Sequence, residues 1–127
     1  IRLIAGKYGD VTGPVSGIAV DPLYMDVAVD SGDTFEYHLP ADHHAFLYVF
    51  RGGGEFCGVG AEATKLLVLG QGDGVYIKAG LLGTRFLLVA GKPLEEPIVR
   101  YGPIVMNTVE EIKQTLREIR DGTFIQR

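Results

Sequence analysis

Hydrophobic positions alternate with a period of two through the first third of the chain. Leu23, Met25, Val27 and Val29 fall on one face of an extended segment, and Tyr24, Asp26, Ala28 and Asp30 on the other. Successive side chains of a strand point to opposite faces, so this pattern predicts a half-buried strand. Asp30-Ser31-Gly32-Asp33 reads as a turn. Alternation resumes from Thr34 to Leu39, with Phe35, Tyr37 and Leu39 opposed to Thr34, Glu36 and His38, and Pro40 ends the strand. Ala45 to Phe50 is apolar and aromatic throughout, as expected of a strand buried on both faces. Further short strands are predicted at 55–57, 66–69, 75–77 and 84–90. Glycine-rich turns at 51–54, 70–74 and 80–83 separate them. Strands this short, punctuated this way, predict a sandwich or barrel rather than βαβ units.

The C-terminus changes period. Val109, Ile112, Leu116 and Ile119 recur at helical spacing and form one apolar stripe. Thr108 and Glu111 fit a capping box, Glu110 and Glu111 sit at the positive end of the helix dipole, and Arg117 and Arg120 at the negative end. Gly122 is a stop. The spacing predicts a helix over 109–120. The expected organisation is a β-barrel over 1–107, then a helix and tail over 108–127 packed on the barrel or on a partner.

Composition narrows the class. At 127 residues, 46% hydrophobic and 22% charged, the chain suits one folded domain and is too apolar for disorder. The net charge is −4 and the basic residues are scattered, which argues against direct binding to nucleic acid. Cys57 is the single cysteine, so no intrachain disulfide forms and a cytoplasmic setting is expected. It reads as a small buried hydrophobe more readily than as a reactive thiol. No apolar run is long enough to span a membrane, and residues 1–6 do not resemble a signal peptide. The absence of an initiator Met leaves open that the chain belongs to something longer.

Two segments carry a resemblance. Gly91-Lys92-Pro93-Leu94-Glu95-Glu96-Pro97 is followed by Tyr101-Gly102-Pro103-Ile104-Val105-Met106-Asn107-Thr108 and then Glu110-Glu111-Ile112. This order resembles the C-terminal end of the pirin family, with Ile104 where the family pattern has Phe. Arg2 to Gly6, Leu23 to Asp26 and Ala45 to Gly52 resemble strands of the second pirin half, so nearly the whole chain is covered. The resemblance implies a cupin fold: an all-β double-stranded β-helix, a jelly-roll-like small barrel, with one C-terminal α-helix. Pirins are bicupins whose N-terminal barrel holds a metal, usually iron, on histidines and a glutamate. The C-terminal barrel lacks that site. Some bacterial members are quercetin 2,3-dioxygenases, and the eukaryotic protein is a nuclear transcriptional co-regulator. The resemblance therefore implies no cofactor on this chain, and iron only on a partner half.

The cupin metal pattern places two histidines and a glutamate on one strand pair and a third histidine on a later strand. His38 lies at the first histidine position after Gly32, but Pro40 stands at the second, and no histidine follows His44. A non-haem iron site needs three or four converging ligands. His38 with His43 or His44, and Glu36 or Asp42 supplying oxygen, would be the only candidate set. Loop histidines at a barrel mouth is the favoured reading. Tyr24, Tyr37, Phe46 and Tyr48 either line a cavity or simply fill the core. Tyr101, Ile104, Val105 and Met106 form the expected interface, because one strand cannot turn three consecutive apolar residues to one side. The expected function is a non-catalytic module pairing with a second cupin, either another copy or a metal-bearing half. The alternatives are a part of a quercetinase-type dioxygenase and a co-regulator acting through protein contacts.

Overall fold

The computed structural model describes residues 1–125 and contains two compact units, Ile1–Pro93 and Leu94–Arg127. The first holds nine strands: β1 (Arg2–Ala5), β2 (Lys7–Tyr8), β3 (Val11–Thr12), β4 (Leu23–Val29), β5 (Thr34–His38), β6 (His44–Phe56), β7 (Val59–Glu62), β8 (Lys65–Val68) and β9 (Gly74–Gly91). Apart from the small β2–β3 hairpin they form one antiparallel sheet in the order β1-β4-β9-β6-β7, with β5 also on β9 and β8 also on β6.

The long strands β6 and β9 make the architecture. The second half of β9 pairs with β4 and with the first half of β6, which β8 flanks. The first half of β9 pairs with β5 and with the end of β6, which β7 flanks. The register between β6 and β9 shifts between Val49 and Arg51 and again between Gly52 and Gly54. At these bulges both strands bend, and one sheet folds into two facing layers. The result is a cupin-like β-sandwich whose sheet does not close into the expected barrel.

Glycine at the bend is obligatory. Gly52 has φ +67° and Gly83 φ +70°, and a Cβ on Gly52 would lie 2.1 Å from the Gly83 carbonyl oxygen. Segments 51–54 and 80–83, expected as chain reversals, are these bend points inside continuous strands. The reversal after β6 instead falls at Cys57 and Gly58, both at positive φ. Such a two-residue hairpin turn needs left-handed residues. It places Cys57 in the open, which corrects the expectation of a buried thiol.

The core lies between the layers. Met25, Val27, Leu47, Val49, Phe86 and Leu88 project from one layer, and Phe35, Phe56, Val75 and Ile77 from the other. Phe86 joins them, meeting Phe35 and Phe56 edge-on with ring centroids 5.7 Å away in both cases. Alternation in β6 is stricter than its sequence indicates. Ala45, Leu47 and Val49 are buried, while Phe46 and Tyr48 face outward and are exposed. This corrects the expectation of two-sided burial.

The second unit holds a hairpin, β10 (Val99–Tyr101) and β11 (Ile104–Met106), and the helix α1 (Val109–Asp121). The Ile104–Met106 segment is thus a short strand. The capping box forms as expected: the Thr108 hydroxyl accepts from the Glu111 N–H, and the Glu111 carboxylate accepts from the Thr108 N–H at 2.8 Å. Gly122 closes the helix in the left-handed conformation. The Asn107 side chain donates to Glu96 Oε2 and the Pro97 carbonyl, tying the segment before the hairpin to the start of the helix. Within the expected apolar stripe only Ile112 is buried, and Thr115 is its buried neighbour.

Candidate functional site

A cavity of about 410 Å³ opens between the N-terminal segment and the stretch from Tyr37 to His43. Three backbone bonds shape the N-terminal wall. Gly13 N–H donates to the Gly6 carbonyl, Val15 N–H to that of Ile4, and Asp21 N–H to that of Ile18. Tyr8 stacks on Tyr37 and Phe35, with ring centroids 6.1 and 6.4 Å away. The Tyr37 hydroxyl donates to the Lys7 carbonyl at 2.7 Å. Burial pushes the Tyr37 phenol above its ordinary value. The buried side chains of Leu23 and Leu39 give the cavity an apolar floor.

His43 stands in the opposite wall and is almost fully buried. Its Nδ1 lies 3.0 Å from Asp42 Oδ1 and its Nε2 3.1 Å from the Asp21 carbonyl. Both nitrogens therefore face acceptors, and the ring pins two loops together. The hydrogen bond from His43 holds the Asp42 carboxyl below the usual carboxylate range, and the Lys92 ammonium, 3.8 Å from its other oxygen, adds to this. The wall is a clamp. Each imidazole nitrogen lies within hydrogen-bond distance of an acceptor, and the Tyr37 hydroxyl donates to the Lys7 carbonyl. The arrangement holds the shape of the cavity wall.

The remaining candidate ligands do not gather around His43. His38 and Glu36 are exposed on β5, and His44 is exposed at the start of β6, opposite Gly91. Among the described residues no three His, Cys, Asp or Glu side chains come together in a metal-holding group. These residues do not assemble the donor set of a cupin iron site.

Of the four aromatics considered for a cavity, Tyr37 alone borders this one; Tyr24, Phe46 and Tyr48 lie on the outer face of the sheet. Tyr101 and Val105 are exposed on the β10–β11 hairpin, and Ile104 and Met106 are half-buried. Sequence reasoning missed Asp21 and Lys92 as parts of the clamp. Asp21 is 22 residues from His43, and the only local signal is the adjacent pair Asp42-His43.

The fold is that of a cupin-type β-sandwich. The chain belongs to the family of the pirin C-terminal cupin domain, whose model matches residues 24–125. It is 37% identical over 125 residues to a pirin-like protein of Caulobacter vibrioides, covering 98% of this chain and 45% of that protein. It is 36% identical over 131 residues to a pirin-like protein of Arabidopsis thaliana, covering 95% and 42%. The crystal structure of quercetin 2,3-dioxygenase from Acinetobacter baumannii superimposes with a TM-score of 0.86 at 29% identity, over 96% of this chain and 42% of that one. The chain thus spans less than half the length of these relatives. None of its described helices is long and apolar enough to cross a membrane.

Proposed function

We propose that this chain is a non-catalytic pirin-type cupin module that pairs with a second cupin, either another copy of itself or a metal-bearing half. The scattering of its histidines carries the reading. His43 is buried with an acceptor beside each ring nitrogen, whereas His38 and His44 are exposed on different strands. The length of the relatives supports a partner of similar size. Iron, in this reading, belongs to the partner half, and the setting is cytoplasmic.

The test is elemental analysis of the purified chain after anaerobic reconstitution with ferrous iron. The expected content is far below stoichiometric. A stoichiometric content that disappears in His38→Ala would overturn the reading.

A second reading has one observation in its favour. The close superposition on a quercetin 2,3-dioxygenase supports reading the chain as a structural part of such an oxygenase. Quercetin turnover by the chain alone, tracked as loss of the flavonol absorbance, would establish activity independent of a partner. A role in transcription through protein contacts draws no support from the geometry.

A further inference from the structure

His43 sits among acceptors. Asp42 Oδ1 lies 3.0 Å from its Nδ1 and the Asp21 carbonyl oxygen 3.1 Å from its Nε2, with Asp21 Oδ2 3.7 Å from the same nitrogen. The side chain is 3% exposed, so bulk water does not stand in for these partners. A neutral imidazole donates at one nitrogen and accepts at the other. In the neutral ring, one of the two contacts therefore sets lone pair against lone pair. The charged ring donates at both nitrogens. The geometry is complementary to an imidazolium.

The neutral ring keeps the stronger contact. A hydrogen bond to a carboxylate is about twice as strong as one between neutral groups, so the single proton stays on Nδ1 toward Asp42. Nε2 then turns its lone pair on the Asp21 carbonyl and carboxylate, and the contact to Asp21 becomes repulsive. Asp21 belongs to the cavity wall that Val15, Ile18 and Pro22 also form. Among the described residues, two hydrogen-bonded contacts hold residues 16–22 to the rest of the unit: the one from His43, and the bond from the Lys92 N–H to the Val20 carbonyl at 2.8 Å. Asp21 also has φ +46°, a left-handed backbone that its surroundings must hold in place.

We propose that His43 is a protonation-dependent latch on residues 16–22: the imidazolium holds Asp21 against the 40–43 turn and closes that wall of the cavity, and the neutral ring releases it. Histidine is the side chain whose charge ordinarily changes between about pH 5 and 8, so the latch opens in that interval. The folded state binds the charged form, so the contact is present at the acid end and is lost as pH rises. The facing groups favour this sign. Asp42 and Asp21 are acidic, and Lys92, 3.8 Å from Asp42 Oδ2, and Lys7 on the cavity rim offset them in part. The Tyr37 phenol faces the same cavity, and Cys57 shares with His43 a smaller hollow of about 140 Å³. Burial disfavours the charge, and the two donated hydrogen bonds oppose that penalty. The latch does not depend on the pairing proposed above.

NMR of the 127-residue chain between about pH 5 and 8 tests the latch with two readouts. Ring nitrogen shifts follow the protonation of His43, and amide exchange of Lys92 follows the bond to Val20 that closes the same wall. The expected result is a Lys92 protection factor, corrected for intrinsic exchange, that falls at least ~10-fold in step with the His43 titration, as a local opening would produce. In His43→Gln, which cannot titrate, the protection factor is expected to be independent of pH, with circular dichroism to verify folding. A His43 ring that stays in one charge state across the interval overturns the latch. So does Lys92 protection that stays constant while the ring titrates. Both of these are read on the wild-type chain, so the inference remains falsifiable even if the glutamine variant does not fold. The same pH dependence in a folded His43→Gln would also overturn it.

Discussion

Arg85 grips Asp26 at two points across the outer face of the sheet: Nε donates to Oδ1 at 2.9 Å, and a terminal nitrogen donates to Oδ2 at 2.6 Å. The residues are 59 apart in sequence, and their strands are neighbours, so the pair spans a diagonal of the β4–β9 ladder. Arg85 also lies over the Phe50 ring, 5.3 Å from its centroid. The guanidinium thereby ties β4 to the neighbouring strands β9 and β6, and a fork of two parallel hydrogen bonds fixes its orientation.

This pair gives stability a pH dependence of known sign. The hydrogen bond from Arg85 holds the Asp26 carboxyl below its ordinary value. A depressed carboxyl contributes stability that is present above the unfolded value, about 3.9, and is lost as pH falls through the folded value. Asp26→Asn should therefore lower the melting temperature at neutral pH, and its deficit relative to wild type should shrink once the pH drops below about 3.9. Thermal melts at neutral and at strongly acidic pH provide the comparison; a constant deficit would mean that Asp26 acts through packing rather than charge.

Phe86 should be the costliest core residue to truncate. It is fully buried and meets aromatic rings from the opposite layer on two sides. Phe86→Ala is expected to cost about 3–5 kcal/mol, the range for large aromatic truncations. Urea titration would report this as a lower midpoint with little change in slope.

The glycines divide into obligatory and replaceable positions. Gly52→Ala would force a methyl group to within 2.1 Å of a backbone oxygen at φ +67°. The bend of β6 and β9 cannot move without breaking the ladder, so a loss of several kcal/mol is expected, in line with other strongly overpacked and strained sites. Gly60→Ala meets nothing within 4 Å and should melt within a degree or two of wild type. Equal effects at the two positions would show that close backbone approach is not the reason for Gly52.

On α1 the burden falls on Ile112 rather than Leu116. The stripe read from the sequence treats the two alike, but Ile112 is 6% exposed and Leu116 37%. Ile112→Ala should cost about 2–4 kcal/mol and Leu116→Ala clearly less, since a large part of the leucine is already wet. Thr108→Ala removes one arm of the capping box and should cost about 1 kcal/mol. Helical ellipticity and melting temperature, measured together, separate loss of the helix from loss of packing.

The sequence determined a good deal by itself. Period-two alternation located β4 and β5, and helical spacing with Thr108, Glu111 and Gly122 located α1. Both signals are local, because a strand's faces and a helix's caps are set by residues a few positions apart. The pirin resemblance likewise rested on contiguous motifs, and the family match over residues 24–125 bears it out.

Tertiary structure alone decided three things. Glycine runs look the same in sequence whether the chain reverses or bends. Only the pairing of Gly52 with Thr84, and the closeness of Gly83 beside it, showed that 51–54 and 80–83 are bends within long strands. An apolar run does not say which of its faces is covered. Phe46 and Tyr48 face outward because β6 turns Ala45, Leu47 and Val49 toward the opposite layer. And the role of His43 depended on Asp21, brought beside it from 22 residues away by the folding of two loops, a proximity that no local pattern encodes because side-chain convergence is a property of the packed chain.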